Sequence, residues 1–389
     1  MEPSPRLPQA VWVLGGIGFC VAVGFGVVLP VLPVYARTFG VSTFMVGAVV
    51  SSFALVRLLT TPLAPQLTEA WGEAPIVAAG CLIVGLSSVA TGLADSYPVL
   101  LVSRAVGGIG SALFTLAASQ LIIRISPAAI LGRASSIFGG GFLLGGMAGP
   151  AIGGVLATIS LTTPFFFYAA TLVLASLVAT LLPRQSHQER VAVESLPLST
   201  ALRDPRYRAA LTSAFASGWQ SQGARGLVVP LLVTEVLLLP AARSGVAFAL
   251  ASAAQAATLY GAGWLTDRAG RRSTLVTGSL LTAVLGVAFA QAGSFTWLTA
   301  LLCLYGVGAS LSATSTQASL GDAVGTRRGP ALAAYQMAGD LGSITGPLAV
   351  GLLLDHYPAA AAMSIGAVLL LITAALAWVM PRRLTRTER

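Results

Sequence analysis

Run after run of about twenty apolar residues, parted by short turns that hold most of the charge, limits what this chain can become. Of 389 residues, 56% are hydrophobic and only 9% charged, and the mean hydropathy is +0.84. A soluble domain so composed has too little polar surface to cover itself, so the chain must be solvated by lipid. In hydrocarbon every backbone N–H and C=O has to be satisfied internally, and a helix does this within one segment. At about 1.5 Å rise per residue, about twenty residues cross a core of about 30 Å. About twelve runs qualify, near 10–36, 42–65, 75–94, 98–121, 135–158, 164–183, 208–236, 243–264, 273–292, 295–318, 329–354 and 358–380. The first is too long for the apolar stretch of a secretory signal and carries Pro30 and Pro33 where cleavage needs small residues, so it is expected to remain in the mature protein.

An even number of spans puts both ends on one side. None of the 22 basic residues is lysine, and the arginines concentrate in the tails and even-numbered loops, with Arg37 and Arg243 on the opposite side. The positive-inside rule then makes both termini cytoplasmic and the chain a multi-pass protein of the cell membrane. The same turns account for the net charge of +9 without a nucleic-acid partner. Cys20, Cys81 and Cys303 lie within spans and lack metal-ligand spacing, so they read as small core residues. His187 and His356 fall in loops with no nucleophile or metal constellation nearby, which argues against an enzyme, a metal or a cofactor.

The chain is also internally duplicated. The charged turn Gly263-Trp-Leu-Thr-Asp267-Arg268-Ala-Gly270-Arg271-Arg272 has a decayed echo about 198 residues earlier, where Pro65, Glu69, Gly72 and Glu73 stand for Gly263, Asp267, Gly270 and Arg271. Val27-Val-Leu-Pro30 repeats as Leu227-Val-Val-Pro230, Gly108-Ile-Gly110 as Gly306-Val-Gly308, and Gly145-x-x-x-Gly149-Pro150 as Gly342-x-x-x-Gly346-Pro347. Only the polar stretch from Pro183 to about Arg206 breaks the rhythm of short turns, as a flexible or surface-lying strap would. The expected organisation is a six-helix bundle over 1–183, a cytoplasmic linker over 184–206 and a second six-helix bundle over 207–389.

The Gly263 to Arg272 segment resembles the loop signature of the major facilitator superfamily, here between spans eight and nine. Gly145-x-x-x-Gly149-Pro150-x-x-Gly153-Gly154 on span five resembles the antiporter motif of its drug/proton exporters. Arg104-x-x-x-Gly108-x-Gly110 on span four and Gly24-x-x-x-x-Leu29-Pro30 on span one are similar to two further motifs of that group. The resemblance implies an all-α membrane fold of twelve helices in two pseudo-symmetric bundles, with spans one, four, seven and ten around a cavity and spans two, five, eight and eleven at the lobe interface. It also implies export of a small organic molecule. The first-half loop departs from the pattern, reading Glu69-Ala-Trp-Gly-Glu73-Ala, and has lost its basic residues. Span one has no carboxylate, unlike many exporters of cationic drugs, which makes a cation-selective pump a poor fit.

An ionisable group kept at the bilayer centre costs about 2.5–3.5 kcal/mol on insertion scales, so it faces a partner or a wet cavity. Arg57, Arg104, Arg225 and Asp340 are such groups. Asp340 lies well inside span eleven, counting from Arg328 at helical rise, and is the candidate for proton coupling; a permanent structural ion pair is the alternative. Three deep arginines against one aspartate favour an anionic or zwitterionic solute held by Arg104 or Arg225, unless Arg57 and Arg104 are engaged by backbone carbonyls. Trp219 and Gln222 beside Arg225, with Tyr260, Gln317 and Gln336, are further candidates to line the pocket, or else to glue helices together.

Gly145, Gly149 and Gly153 form a smooth stripe bent by Pro150, suited to a hinge and seal or to close packing alone. Asp267, Arg268, Arg271 and Arg272, echoed by Glu69, are the candidate inner-gate contacts, with the start of span five near Arg133 as the expected neighbour. With no Gly-x-x-x-x-Gly-Lys-Ser/Thr loop and no lysine to build one, the energy source is an ion gradient. The reading is a proton-coupled exporter, monomer-competent, with protons, a small molecule and lipid as partners. An uptake symporter on the same fold and a non-transporting receptor or scaffold are the rival readings.

Overall fold

A computed structural model describes residues 7–182, 196–325 and 329–381, and among them every regular element is helical. The elements are α1 (Gln9–Val28), α2 (Leu32–Arg37), α3 (Thr43–Thr60), α4 (Ala64–Trp71), α5 (Glu73–Gly92), α6 (Tyr97–Ile125), α7 (Ala128–Leu156), α8 (Thr163–Ala179), α9 (Leu198–Ala201), α10 (Pro205–Gly218), α11 (Val229–Leu231), α12 (Ala242–Ala269), α13 (Arg271–Phe289), α14 (Phe295–Val324), α15 (Pro330–Leu354) and α16 (Ala359–Trp378). Ten are long and apolar enough to cross a membrane. The two other expected spans are α8, of 17 residues, and the stretch from α10 to Val236, in which two π-helical segments flank α11.

Local chemistry explains where the helices stop. The first run breaks after α1 because Pro30 cannot donate to the ladder, and α2 restarts with Pro33 in its first turn, where the missing N–H costs nothing. Gly72 and Gly270 occupy equivalent places in the two halves and take φ +85° and +91°, a region that penalises any side chain with a Cβ. Each ends one helix and starts the next within a single residue, which keeps the charged turns short. Five of the six tryptophans are exposed near helix ends: Trp12, Trp71, Trp264, Trp297 and Trp378. Such a distribution suits the two water interfaces of a bilayer. The sixth, Trp219, is buried.

Contacts divide the chain into two compact units. Unit 1 gathers the described residues of Met1–Val41, Ser52–Glu189 and Pro240–Ala249; unit 2 gathers those of Ser42–Ser51, Arg190–Leu239 and Leu250–Arg389. The start of α3 therefore packs in unit 2 and the start of α12 in unit 1. In unit 1, α7 runs along α1, and α5 packs on α6 and α8. In unit 2, α13 packs on α14 and α16, while α10 and the first π-helical segment pack on α15. Of the expected linker, 184–195 lies outside the described residues. Its end does not: Leu196 and Ala201 are buried in a cluster with Tyr207, Leu320, Val324 and Ala331, so this part is docked on unit 2.

Candidate functional site

Unit 2 collects the polar residues of span seven on an irregular piece of helix. Trp219–Val228 is π-helical and holds Trp219, Gln220, Gln222 and Arg225. A π turn widens the helix and misaligns its ladder, and such turns concentrate at functional sites. Glycine contact with α15 holds it in place. A Cβ on Gly223 would come within 2.5 Å of the Gly346 carbonyl carbon, and one on Gly342 would overlap the Phe215 carbonyl. Asp340, half-buried, sits on α15 between Gly339 and Gly342, both of which face α10. The Arg225 guanidinium carbon lies 6.0 Å from the centre of the Tyr305 ring on α14, and Phe289 meets that ring edge-on. Gln220 instead points into the bundle, against Gly286 of α13 and Gly366 of α16, and both its amide atoms lack a hydrogen-bond partner among the described residues.

The remaining pocket candidates of this half separate. Gln317 donates to the Tyr335 hydroxyl at 3.3 Å, which ties α14 to α15. Gln336 is exposed, and Tyr260, at 89% exposure, stands out from α12.

In unit 1, Arg104 is buried on α6 with its guanidinium carbon 4.8 Å from the centre of the Phe53 ring, which itself lies 6.1 Å from Phe25 on α1. Its Nε has no hydrogen-bond partner among the described residues. Gly108, one turn on, lets α3 approach so closely that a Cβ would overlap the Phe53 carbonyl; Gly110 does the same for Gly80 on α5. The motif thus wedges α6 between two helices and leaves an arginine over an aromatic face. Arg57 is half-buried on α3.

Four span-five glycines share one partner, α1. A Cβ at Gly141, Gly145, Gly149 or Gly153 would collide in turn with the carbonyls of Gly15, Phe19, Val23 and Val27, a step of four on both helices. Two backbones in such contact can slide or rock without side chains in the way.

The charged turns hold the largest departure from the sequence reading. In the second half, Arg271 Nε lies 2.9 Å from Asp322 at the end of α14, and a second arm lies 3.6 Å from Asp267. Asp267 is otherwise exposed, and Arg268 and Arg272 lie over Trp264 and Trp378 at 5.1 and 4.3 Å. The first-half turn lacks those arginines, yet the contact persists with its signs exchanged. Glu73, buried at the start of α5, pairs with Arg124 at the end of α6. Glu73 stands where Arg271 stands, and Arg124 where Asp322 stands, on the same repeat offset. That coincidence was available in the sequence, but only by reading both ends of the pair together. Glu69 is exposed.

The sequence profile of the Major Facilitator Superfamily matches residues 14–223 and again 210–389. The chain is 32% identical over 168 residues to the quinolone resistance protein NorA of Staphylococcus aureus, an alignment that spans 42% of each protein. It is 24% identical over 357 residues to an uncharacterized MFS-type transporter of Methanocaldococcus jannaschii, 90% of this chain and 92% of that one. Among solved structures, a bacterial homolog of the human lysosomal transporter Spinster, inward-facing and unoccupied, superposes with TM-score 0.79 at 17% identity over 95% of this chain and 96% of that one. The human organic anion transporter MFSD10 gives TM-score 0.67 at 17% identity, over 96% and 100%. At these identities the solved structures speak for the fold alone.

Proposed function

The chain belongs to the Major Facilitator Superfamily, and from that premise we propose that it exports a small anionic or zwitterionic organic molecule in exchange for protons by alternating access. It is a multi-pass membrane transporter and not an enzyme. The observation that carries the finer reading is the pairing of elements in unit 2: α15, which bears Asp340, packs along the π-helical segment that bears Arg225. A proton on that carboxyl weakens its hold on any nearby cation and alters the packing of the two elements, which is a route from protonation to a change of state. Arg104 of unit 1 or Arg225 of unit 2 receives the carboxylate of the substrate through its fork of donors. Trp219 and Gln222 supply apolar wall and polar anchor.

The partial likeness to a quinolone resistance protein supports export and suggests as probe norfloxacin, a quinolone that carries both a carboxylate and a basic amine. In everted vesicles with an acidic lumen, norfloxacin should accumulate with the parent protein and lose its dependence on the pH gradient with Asp340→Asn, while exchange of labelled for unlabelled drug persists. Gradient-driven accumulation by Asp340→Asn at the parent rate would remove Asp340 from the coupling step.

A further inference from the structure

A carboxylate at the end of α15 ties down the beginning of α3, and both lie in unit 2. Asp355 follows α15 directly; its two oxygens accept the N–H of Thr43 at 2.7 Å and of Phe44 at 2.9 Å. Those N–H groups belong to the first turn of α3 and have no acceptor within their own helix. The contact continues along the two helices. A Cβ on Gly351 would come within 2.6 Å of the Thr43 carbonyl, one on Gly47 would overlap the Pro347 carbonyl, and Ser51 Oγ donates to the Ile344 carbonyl at 2.6 Å. Positions 43, 47 and 51 thus run against 351, 347 and 344 in antiparallel register.

Unit 1 repeats the packing and omits the acid. Gly154 lies against the Ala242 carbonyl and Gly245, and Gly245 against the Pro150 carbonyl. Gly245 corresponds to Gly47 and Pro150 to Pro347, but Thr158 stands where Asp355 would be, with its hydroxyl bonded to Val155 in its own chain segment. The carboxylate occurs in one copy only of a duplicated contact.

We propose that Asp355 is a latch that holds the first two turns of α3 on α15 and sets how readily they part during the transport cycle. This rests on the alternating-access part of the reading above and on neither the substrate nor Asp340. Both segments adjoin odd-numbered loops, the first and the eleventh, so the latch works on the membrane side opposite the chain ends. A carboxylate on backbone N–H groups makes bonds about twice as strong as neutral ones, and the exposed amides at a helix start favour negative charge. Burial pushes the Asp355 carboxyl up, but the N–H groups of Phe44 and Thr43 and the hydroxyls of Thr43 and Ser42 outweigh it and hold it below the ordinary carboxylate range. The group is therefore ionised at any pH the outer surface ordinarily meets.

The test uses the full chain with Cys20, Cys81 and Cys303 replaced by serine and Ser51→Cys as reporter. Position 51 is buried against Ile344, so a membrane-impermeant maleimide reaches it only when α3 leaves α15. With Asp355→Ala, labelling of intact cells should rise about tenfold or more, the scale of losing a side-chain acceptor at an exposed helix start. Thr43→Pro removes one donated N–H at a helix position that accepts proline; it should raise labelling by a smaller factor, and the double variant should label no faster than Asp355→Ala alone. Labelling within twofold of the parent in Asp355→Ala, or multiplicative effects in the double variant, would overturn the latch. If Asp355→Ala fails to reach the membrane, Thr43→Pro decides alone, and an unchanged rate overturns it. Labelling is done without drug in cells de-energised by an uncoupler, so a failure here leaves the proton-exchange reading standing.

Discussion

At the scale of single residues, the chain keeps geometry and changes sign. Glu73 with Arg124 and Arg271 with Asp322 bridge the same two helix ends in the two halves, and opposite charges make the same Coulomb energy whichever side holds which. The two halves share complementarity and not residue type, so a motif search that expects arginine at the second position sees decay where the contact survives. The consequence is testable by exchange. Glu73→Arg alone places two guanidinium groups together in a half-buried site and should lower the melting temperature in detergent by several degrees, as expected of a loss of about 1–3 kcal/mol for a partly buried pair. Glu73→Arg with Arg124→Glu should recover most of that loss. If the double variant melts no higher than the single one, the pair does not carry the stability assigned to it. Asp340 and Arg225 are of another kind, having no like residue at the matching place; Leu143 stands opposite Asp340 in the repeat.

At the scale of elements, the glycine ladder of α7 on α1 and the π-helical piece of span seven are two features built on glycine contact between helix backbones. Each ladder glycine meets a carbonyl of α1, so no larger residue fits without parting the helices. Replacing Gly149 by leucine should leave the protein in the membrane, because lipid tolerates a displaced helix, but reduce gradient-driven transport at least tenfold. Normal transport by Gly149→Leu at normal abundance would mean the contact is incidental. The stripe was legible from its spacing of four, and ten of the twelve expected spans from apolar length; α8 and the π-interrupted stretch to Val236 fall short of that measure. The helix partner of the stripe was not legible, because a small-residue face is equally suited to any neighbour. The π-helical segment was not legible: the polar cluster of Trp219, Gln222 and Arg225 stood out in the sequence, but residue types do not fix the width of a helical turn, and Gly342 and Gly346 of α15 lie against Phe215 and Trp219 only in the folded chain. Asp355 went unread because a loop aspartate next to a histidine carries no signal until the start of α3 is brought to it.

At the scale of the whole molecule, duplication supplies a scaffold twice and leaves each copy free to acquire chemistry once. The positive-φ glycines Gly72 and Gly270, the Gly–Pro contacts of α3 with α15 and α12 with α7, and the paired charges at the turns occur in both copies. The deep aspartate, the π-helical polar cluster and the Asp355 latch occur in the second set alone. Across both copies three deep arginines, Arg57, Arg104 and Arg225, stand against one deep carboxylate, Asp340, and that excess bears on what is carried. A guanidinium in a low-dielectric setting discriminates a carboxylate from its neutral ester because the carboxylate accepts two charge-assisted hydrogen bonds and the ester only weaker neutral ones. A zwitterionic acid should therefore inhibit transport at lower concentration than its methyl ester, by about tenfold or more for a desolvated pair, and Arg104→Gln or Arg225→Gln should erase the difference at whichever arginine receives the acid. If acid and ester compete equally in the parent protein, the arginines serve the fold, and the substrate is chosen by shape and apolar contact instead.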